Sequence, residues 1–268
     1  MQTPHTASNS MPVLLTSSII AHDRGVKLID TSERLRYAIE SVGQWLRIDL
    51  QLPIVLCDGS NYDLRAAITD RFPRATIECL SFENDQELVR KYGRGYGEGE
   101  IVRHAVRHSR QIARAGCFAK CSSKLWVENF SECRHWWNGD FLCKGVFLDV
   151  FAPFKPTFLH HIDTRFYMAS KAFYERHFLD AHLNINVGTG HGLEECFRDI
   201  FLREQIQNAL LPVPPVIQGV GGGTASYYRN LRKRIWKERL RVALVRRRPE
   251  FGALFADGTR VRTCVSSF

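Results

Sequence analysis

The chain has 268 residues, is 44% hydrophobic and 11% aromatic, and carries a formal net charge of +9. That length suits one large domain or two small ones and suffices for a full core, so a disordered or fibrous chain is excluded. No apolar run is long enough to cross a bilayer, and Met1 to Ser10 lacks a basic-then-apolar leader pattern, so a cytoplasmic chain with a polar, disordered tail over residues 1–11 is expected.

In chain order, Val13 to Ile20 reads as a first strand carrying the small hydroxyls Thr16 and Ser17. Asp30 or Thr31 caps a helix with Leu35, Ala38, Ile39, Val42 and Trp45 along it. Leu52 to Cys57 is a short apolar run, as in a buried parallel strand, and it breaks off at Asp58-Gly-Ser60. A helix over 64–72 and a strand over 75–80 follow. Four glycines, Gly93, Gly95, Gly97 and Gly99, then alternate with Arg94, Tyr96 and Glu98. Glycine lets a ligand approach the main chain, and free N–H groups at a helix start attract phosphate, so this stretch reads either as a phosphate-binding loop or as a surface turn. The helix after it has a stripe of Ile101, Ala105, Ile112 and Ala115, and a strand over 117–120 delivers Lys120. Strands alternating with helices give an α/β domain with a mostly parallel central sheet flanked by helices. Ligands in such sheets sit past the carboxyl ends of strands, where Thr16, Ser17, Asp58, Ser60 and Lys120 fall.

A strand, a helix and an apolar strand ending in Asp-Gly-Ser-x-x-Asp resemble the opening of GT-A glycosyltransferases. The later Gly95-Tyr-Gly-Glu-Gly-Glu and Phe118-Ala-Lys-Cys-Ser-Ser-Lys-Leu resemble small transferases of bacterial O-antigen, capsule and lipopolysaccharide-core synthesis. The resemblance spans roughly residues 13–228. It implies a GT-A-like domain over 12–225, a nucleotide-sugar donor and a glycan acceptor, lipid-linked in those pathways. It also implies that Asp58 meets the base or ribose. GT-A enzymes usually hold Mn or Mg on the diphosphate through Asp-x-Asp, and this chain has no Asp-x-Asp. Lys120 and Lys124 stand at the corresponding place, so a metal-independent transferase with no cofactor is expected, in which lysine neutralises the departing diphosphate. The same lysines also fit a role as mere strand flanks. The donor side is thus expected to comprise Thr16, Ser17, Asp58, Ser60, Gly95, Gly97, Glu98, Lys120 and Lys124.

Further along, Trp136-Trp137 reads as core filling or, at Trp137, as a sugar-stacking acceptor contact. A strand over 146–151 is expected. Asp163, a third catalytic candidate, and Arg165 project to one face of an extended segment, where they either grip acceptor hydroxyls or pair with each other. His160 and His161 match no metal-ligand spacing, and neither do Cys117, Cys121, Cys133 and Cys143, so no metal site is expected. The helix from Leu193 to Arg203 opens with Glu194 and Glu195, which suit a helix start. Inverting GT-A enzymes place their catalytic base there; Glu194 matches the similar Leu-Glu motif and Glu195 is the second choice. After the stiff Leu211-Pro-Val-Pro-Pro, the glycine run at 219–223 reads as a hinge or as a loop closing over the donor through Gly221 and Gly222.

From Tyr227 to Arg248 there are ten Lys and Arg residues against one acid, Glu238. A basic helical extension over 226–268 is expected, with a stripe of Leu231, Ile235, Val242 and Val245. It fits an anionic membrane surface, placing the chain peripherally on the inner face of the cytoplasmic membrane. A helix packed on the core with a basic outer side is the other reading. No RRM, KH or finger signature is present, so nucleic acid is not the expected partner. A basic nucleic-acid or nucleotide-binding protein without sugar chemistry remains the competing class.

Overall fold

The computed structural model describes residues 11–23, 25–223, 225–228 and 232–258. Most of the expected N-terminal tail, Thr224, Leu231 and Cys264 lie outside the described residues. The chain runs β1 (Val13–Ser17), α1 (Thr31–Ile48), β2 (Ile54–Asp58), α2 (Arg65–Arg71), β3 (Ile77–Ser81), α3 (Gln86–Tyr92), α4 (Arg94–His108), α5 (Arg110–Ala115), β4 (Cys117–Ser122) and β5 (Leu125–Val127). Then come α6 (Phe130–His135), β6 (Phe141–Leu148), β7 (Phe158–Ser170), α7 (Lys171–His177), α8 (Leu193–Arg203), β8 (Ile217–Gly221), β9 (Ser226–Tyr228), α9 (Arg232–Arg246) and α10 (Pro249–Gly252).

The main sheet has the order β3-β2-β1-β4-β7-β6. The first four strands are mutually parallel, and β7 runs antiparallel to both β4 and β6. This is the expected α/β architecture with a mostly parallel central sheet. Every residue of β1 and β2 is buried, because helices cover both faces. Alternation sorts the side chains. Leu14, Val55, Cys57 and Phe118 meet α4 and α8 on one face, while Val13, Leu15, Ile54, Leu56 and Ala119 meet α1 on the other.

Several elements depart from the sequence expectation. The glycine-rich stretch is not a loop. Gly93, with φ 80°, ends α3 and starts α4, and Gly95, Gly97 and Gly99 lie inside α4. The reason is packing: a Cβ on Gly99 would stand 2.3 Å from His182, whose ring bonds Glu100 at 2.6 Å. The helix after it also breaks in two, because Ser109 caps α5 and Glu78 accepts from the Ser109 hydroxyl and from the amides of Arg110 and Gln111. The strand expected at 146–151 starts earlier, at Phe141. A second sheet, β5-β8-β9, was not foreseen, and it absorbs the glycine run at 219–223 as an antiparallel hairpin.

The basic C-terminal segment folds onto the domain. Tyr227 and Tyr228 belong to β9, not to the helix. Val242 and Val245 of α9 enter the core, and Leu210 bridges to Phe255. Of the stripe expected to meet a membrane, Val242 and Val245 therefore face inward and Ile235 is half-buried. A second apolar row, Trp236, Leu240 and Leu244, spaced four apart, stays exposed.

Candidate functional site

A cleft opens at the carboxyl ends of β1 and β4, where open parallel sheets place their ligands. Its floor carries Thr16, Ser17, Ser122 and Lys124; one wall is α4 with Arg94, Gly97, Glu98 and Ile101. The opposite wall brings Thr164, Arg165 and Glu194, and the β8–β9 turn brings Gly221, Gly222 and Gly223. The Lys27 and Leu28 amides, ahead of α1, meet that turn and donate to the Gly223 and Gly222 carbonyls at 3.3 and 3.4 Å.

The cleft lining carries Arg34, Arg94, Lys124 and Arg165 beside the acids Asp23, Glu98 and Glu194. Lys124 is buried on its floor, where loss of water and then the neighbouring Arg34 guanidinium pull its ammonium down to about 7, against the opposing pull of Asp58. Arg34, on α1, is buried too and donates to the Ser18 and Leu28 carbonyls. Arg94, exposed at the start of α4, has no acidic partner among the described residues and lies over the β8–β9 turn. A Cβ on Gly223 would collide with its guanidinium, and one on Gly222 would stand 3.1 Å from the Lys124 side chain. The glycine run is therefore where two cations and a main chain approach one another.

Two buried acceptors of the lining lack partners. Among the described residues Ser17 Oγ and Asn84 Oδ1 find no hydrogen-bond partner, although Asn84 Nδ2 donates to the Gly97 carbonyl at 3.1 Å. Both line the cleft, and an unsatisfied buried polar atom there is a natural contact for a ligand.

The expected site residues separate into those at the cleft and those beneath or away from it. Thr16, Ser17, Gly97, Glu98, Lys124, Arg165, Glu194, Gly221 and Gly222 line it. Asp58 does not. It is fully buried, and its carboxylate accepts from the Ile19, Ser60 and Tyr62 amides and the Ser60 hydroxyl. Asp58 and Ser60 thus fix the loops after β1 and β2 rather than presenting free groups to a base or ribose. Lys120 also lies below the surface, its ammonium held by the Glu98 carboxylate and by the Thr164 carbonyl at 2.8 Å. Burial draws it down to about 8, which still leaves it charged at neutral pH. Gly95 packs against Leu193 and Ile185, and Trp137 against the core on the α1 side.

The strand β7 explains the acceptor wall. Its pairing with β6 slips between Cys143 and Lys144, so that Cys143 faces Tyr167 while Lys144 faces Asp163. The surplus residues bulge and carry Thr164 and Arg165 into the cleft. Asp163 itself stays buried and pairs with Arg165, Oδ1 to Nε at 2.8 Å; those bonds hold its carboxyl below the usual range despite burial. The two acids of α8 also part company. Glu195 accepts from the Gly192 amide at 2.9 Å and closes the helix start, while Glu194 turns to the cleft with no ion-pair partner among the described residues.

The groups nearest the end of β4 are hydroxyls, an ammonium and carboxylates already engaged, while Asp23 and Glu194 also line the cleft. Ser122, Ser123 and Lys124 stand there, Asp58 has spent its oxygens on amides, and Glu98 is committed to Lys120. Arg34, Arg94 and Asn84 were missed by the sequence reading. Only the polar faces of otherwise ordinary helix and turn segments announced them.

No protein-family model matches this chain, and neither does any curated protein. Among solved structures it is similar to a Desulfovibrio desulfuricans G20 protein assigned as a nucleotide-diphospho-sugar transferase, with 10% identity, 75% of this chain and 78% of that chain covered, and a TM-score of 0.45. It is also similar to 4-diphosphocytidyl-2C-methyl-D-erythritol synthase, with 11% identity, 87% and 98% covered, and a TM-score of 0.42. HddC from Yersinia pseudotuberculosis aligns at 13% identity over 61% and 78%, with a TM-score of 0.35. The fold described above rests on the chain's own sheet order and strand register.

Proposed function

We propose that the protein is a glycosyltransferase that moves a sugar from a nucleotide-sugar donor to a glycan acceptor carried on a lipid, with inversion at the anomeric carbon. The observation that carries this reading is the strand-end cleft itself. It holds Lys124, Arg34 and Arg94 around a glycine turn, and, without partners among the described residues, two acceptors at Ser17 and Asn84 and the Glu194 carboxylate on the facing wall.

In the reaction so drawn, the acceptor hydroxyl attacks the anomeric carbon as the bond to the diphosphate oxygen breaks. Glu194 takes the hydroxyl proton. The nucleoside diphosphate leaves with the bonding pair, and Lys124 and Arg94 neutralise its charge without a bound ion. Ser17 and Asn84 take the donor's nucleoside or sugar hydroxyls, and Arg165 takes the acceptor.

The lipid setting is supported by the outer surface. Phe154 is 97% and Trp236 is 66% exposed, and Lys237 and Arg241 lie over the Phe151 ring at 5.7 and 5.5 Å. The β6–β7 loop and the outer row of α9 thus join apolar tips to basic charge, as interfacial segments do. No helix among the described residues is long and apolar enough to cross a membrane. Assembly of a cell-surface polysaccharide on a lipid carrier accords with such a surface.

A thermal-shift screen of nucleoside-diphosphate sugars against RNA and DNA oligonucleotides tests the reading. One sugar nucleotide at a hundred times its Kd should stabilise the fold by about 2.7 kcal/mol, with no comparable effect of other nucleotides. A shift with oligonucleotides alone would replace the transferase with a nucleic-acid-binding protein.

A further inference from the structure

Outside the cleft, two adjacent histidines are brought onto one side of a strand. In the pairing of β6 with β7, Val146 faces His161 and Phe147 faces Leu159, so His160 is an extra residue in β7. A regular strand would send neighbours to opposite faces. The bulge turns both rings the same way, and their Nδ1 atoms stand 2.7 Å apart. The carboxylate of Glu195, in the first turn of α8, completes the group: one ligand atom from each of the three lies within 4.8 Å of the others.

We propose that His160, His161 and Glu195 bind a transition-metal dication, with Zn²⁺ the best match. Two imidazoles and a carboxylate are a zinc-type donor set, and three protein ligands leave a fourth position for water or a substrate oxygen. Zn–N bonds of about 2.0–2.1 Å in a tetrahedral site put ligand atoms roughly 3.3 Å apart. The rings need to open slightly and the carboxylate to close slightly, movements within reach of half-buried side chains. The His160 backbone is fixed by Arg198, whose Nη1 donates to its carbonyl at 2.7 Å. Glu195 holds the Gly192 amide through Oε2, so its carboxylate is already oriented.

This site is separate from the donor cleft, and it would clamp α8 to β7 one residue from Glu194. The inference does not depend on the glycosyltransferase reading, because metal binding is measured without a sugar donor.

The test is titration of the untagged, EDTA-stripped full chain with Zn²⁺ by calorimetry and with Co²⁺ by visible absorption. One equivalent of Zn²⁺ and an intense tetrahedral Co²⁺ band are expected. His160→Ala, His161→Ala and Glu195→Gln should each weaken binding by tenfold or more, whereas His108→Ala, in α4, should bind as the parent does. Glu195→Gln retains an acceptor for the Gly192 amide, so it separates loss of a ligand from loss of the helix cap; far-UV circular dichroism checks that each variant is folded. An absence of Zn²⁺ uptake, or unchanged uptake by the folded His160→Ala and His161→Ala variants, overturns the proposal.

Discussion

The Lys120 ammonium is clamped between the Glu98 carboxylate and the Thr164 carbonyl, joining β4, α4 and β7 under the cleft. It is 1% exposed, so this is a structural ion pair and not a surface contact. Removing one partner of a buried pair leaves the other charge uncompensated. Lys120→Met should cost about 3 kcal/mol, at the low end for buried pairs because Glu98 is partly solvated. Adding Glu98→Gln should recover part of that loss. Thermal or urea denaturation of the two single variants and the double variant measures the coupling. Equal losses that simply add would show that the pair is not coupled.

Lys124 stands on the cleft floor instead, so its removal should act on binding. Lys124→Met should weaken nucleoside-diphosphate affinity by roughly tenfold to a hundredfold, the range for a lost hydrogen bond to a charged group. Its folding should not suffer as that of Lys120→Met does. Calorimetry with a nucleoside-diphosphate panel separates the two lysines.

The same lysine sets a pH dependence. Its ammonium titrates near 7 in the free protein because burial and Arg34 disfavour the charge more than Asp58 favours it. A bound diphosphate reverses that balance. Affinity should be full below pH 7 and fall as pH rises above it, with proton uptake on binding near pH 7.5 visible in buffers of different ionisation enthalpy. For folding the sign is the opposite. The unfolded lysine keeps its proton up to its ordinary 10.5, so between 7 and 10.5 the unfolded chain binds more protons and this group adds stability as pH rises. Lys124→Met should abolish both trends; a persistent affinity trend would assign it to another group.

Glu194→Gln should lower kcat by about two to four orders of magnitude, the span of a lost general base. Donor Kd should stay within about twofold, because the carboxylate acts on the acceptor hydroxyl. Single-turnover transfer and equilibrium dialysis supply the two numbers. Retained turnover would remove Glu194 from the reaction.

Phe154→Ser combined with Trp236→Ser should reduce co-sedimentation with anionic vesicles several-fold while leaving the melting temperature unchanged, since both side chains are exposed. Raised salt should weaken what binding remains, because the Lys and Arg contribution is screened. Vesicle binding that ignores both changes would place the membrane contact elsewhere.

Gly99→Ala tests the packing account of the glycine series. A Cβ there meets His182 at 2.3 Å, and overpacking of this kind costs about 1–3 kcal/mol. The loss should appear in a melt, without a change in nucleotide affinity.

The local signals in the sequence were sufficient for the frame. Short apolar runs marked β1, β2 and β4, helical periodicity marked α1 and α8, and the order of these elements implied a parallel sheet with a cleft past its strand ends. Those signals are local because burial and helix period act over a few residues. What the tertiary structure alone decided was the direction of each polar side chain. Asp58 turned inward because the loop amides after β1 and β2 needed its oxygens. The alternating glycines became a helix face because His182 had to pass close by. Slipped pairing between β6 and β7 pushed Arg165 into the cleft and put His160 beside His161. Register and close approach are set by partners far apart in the chain, and no spacing of residues along one segment encodes them.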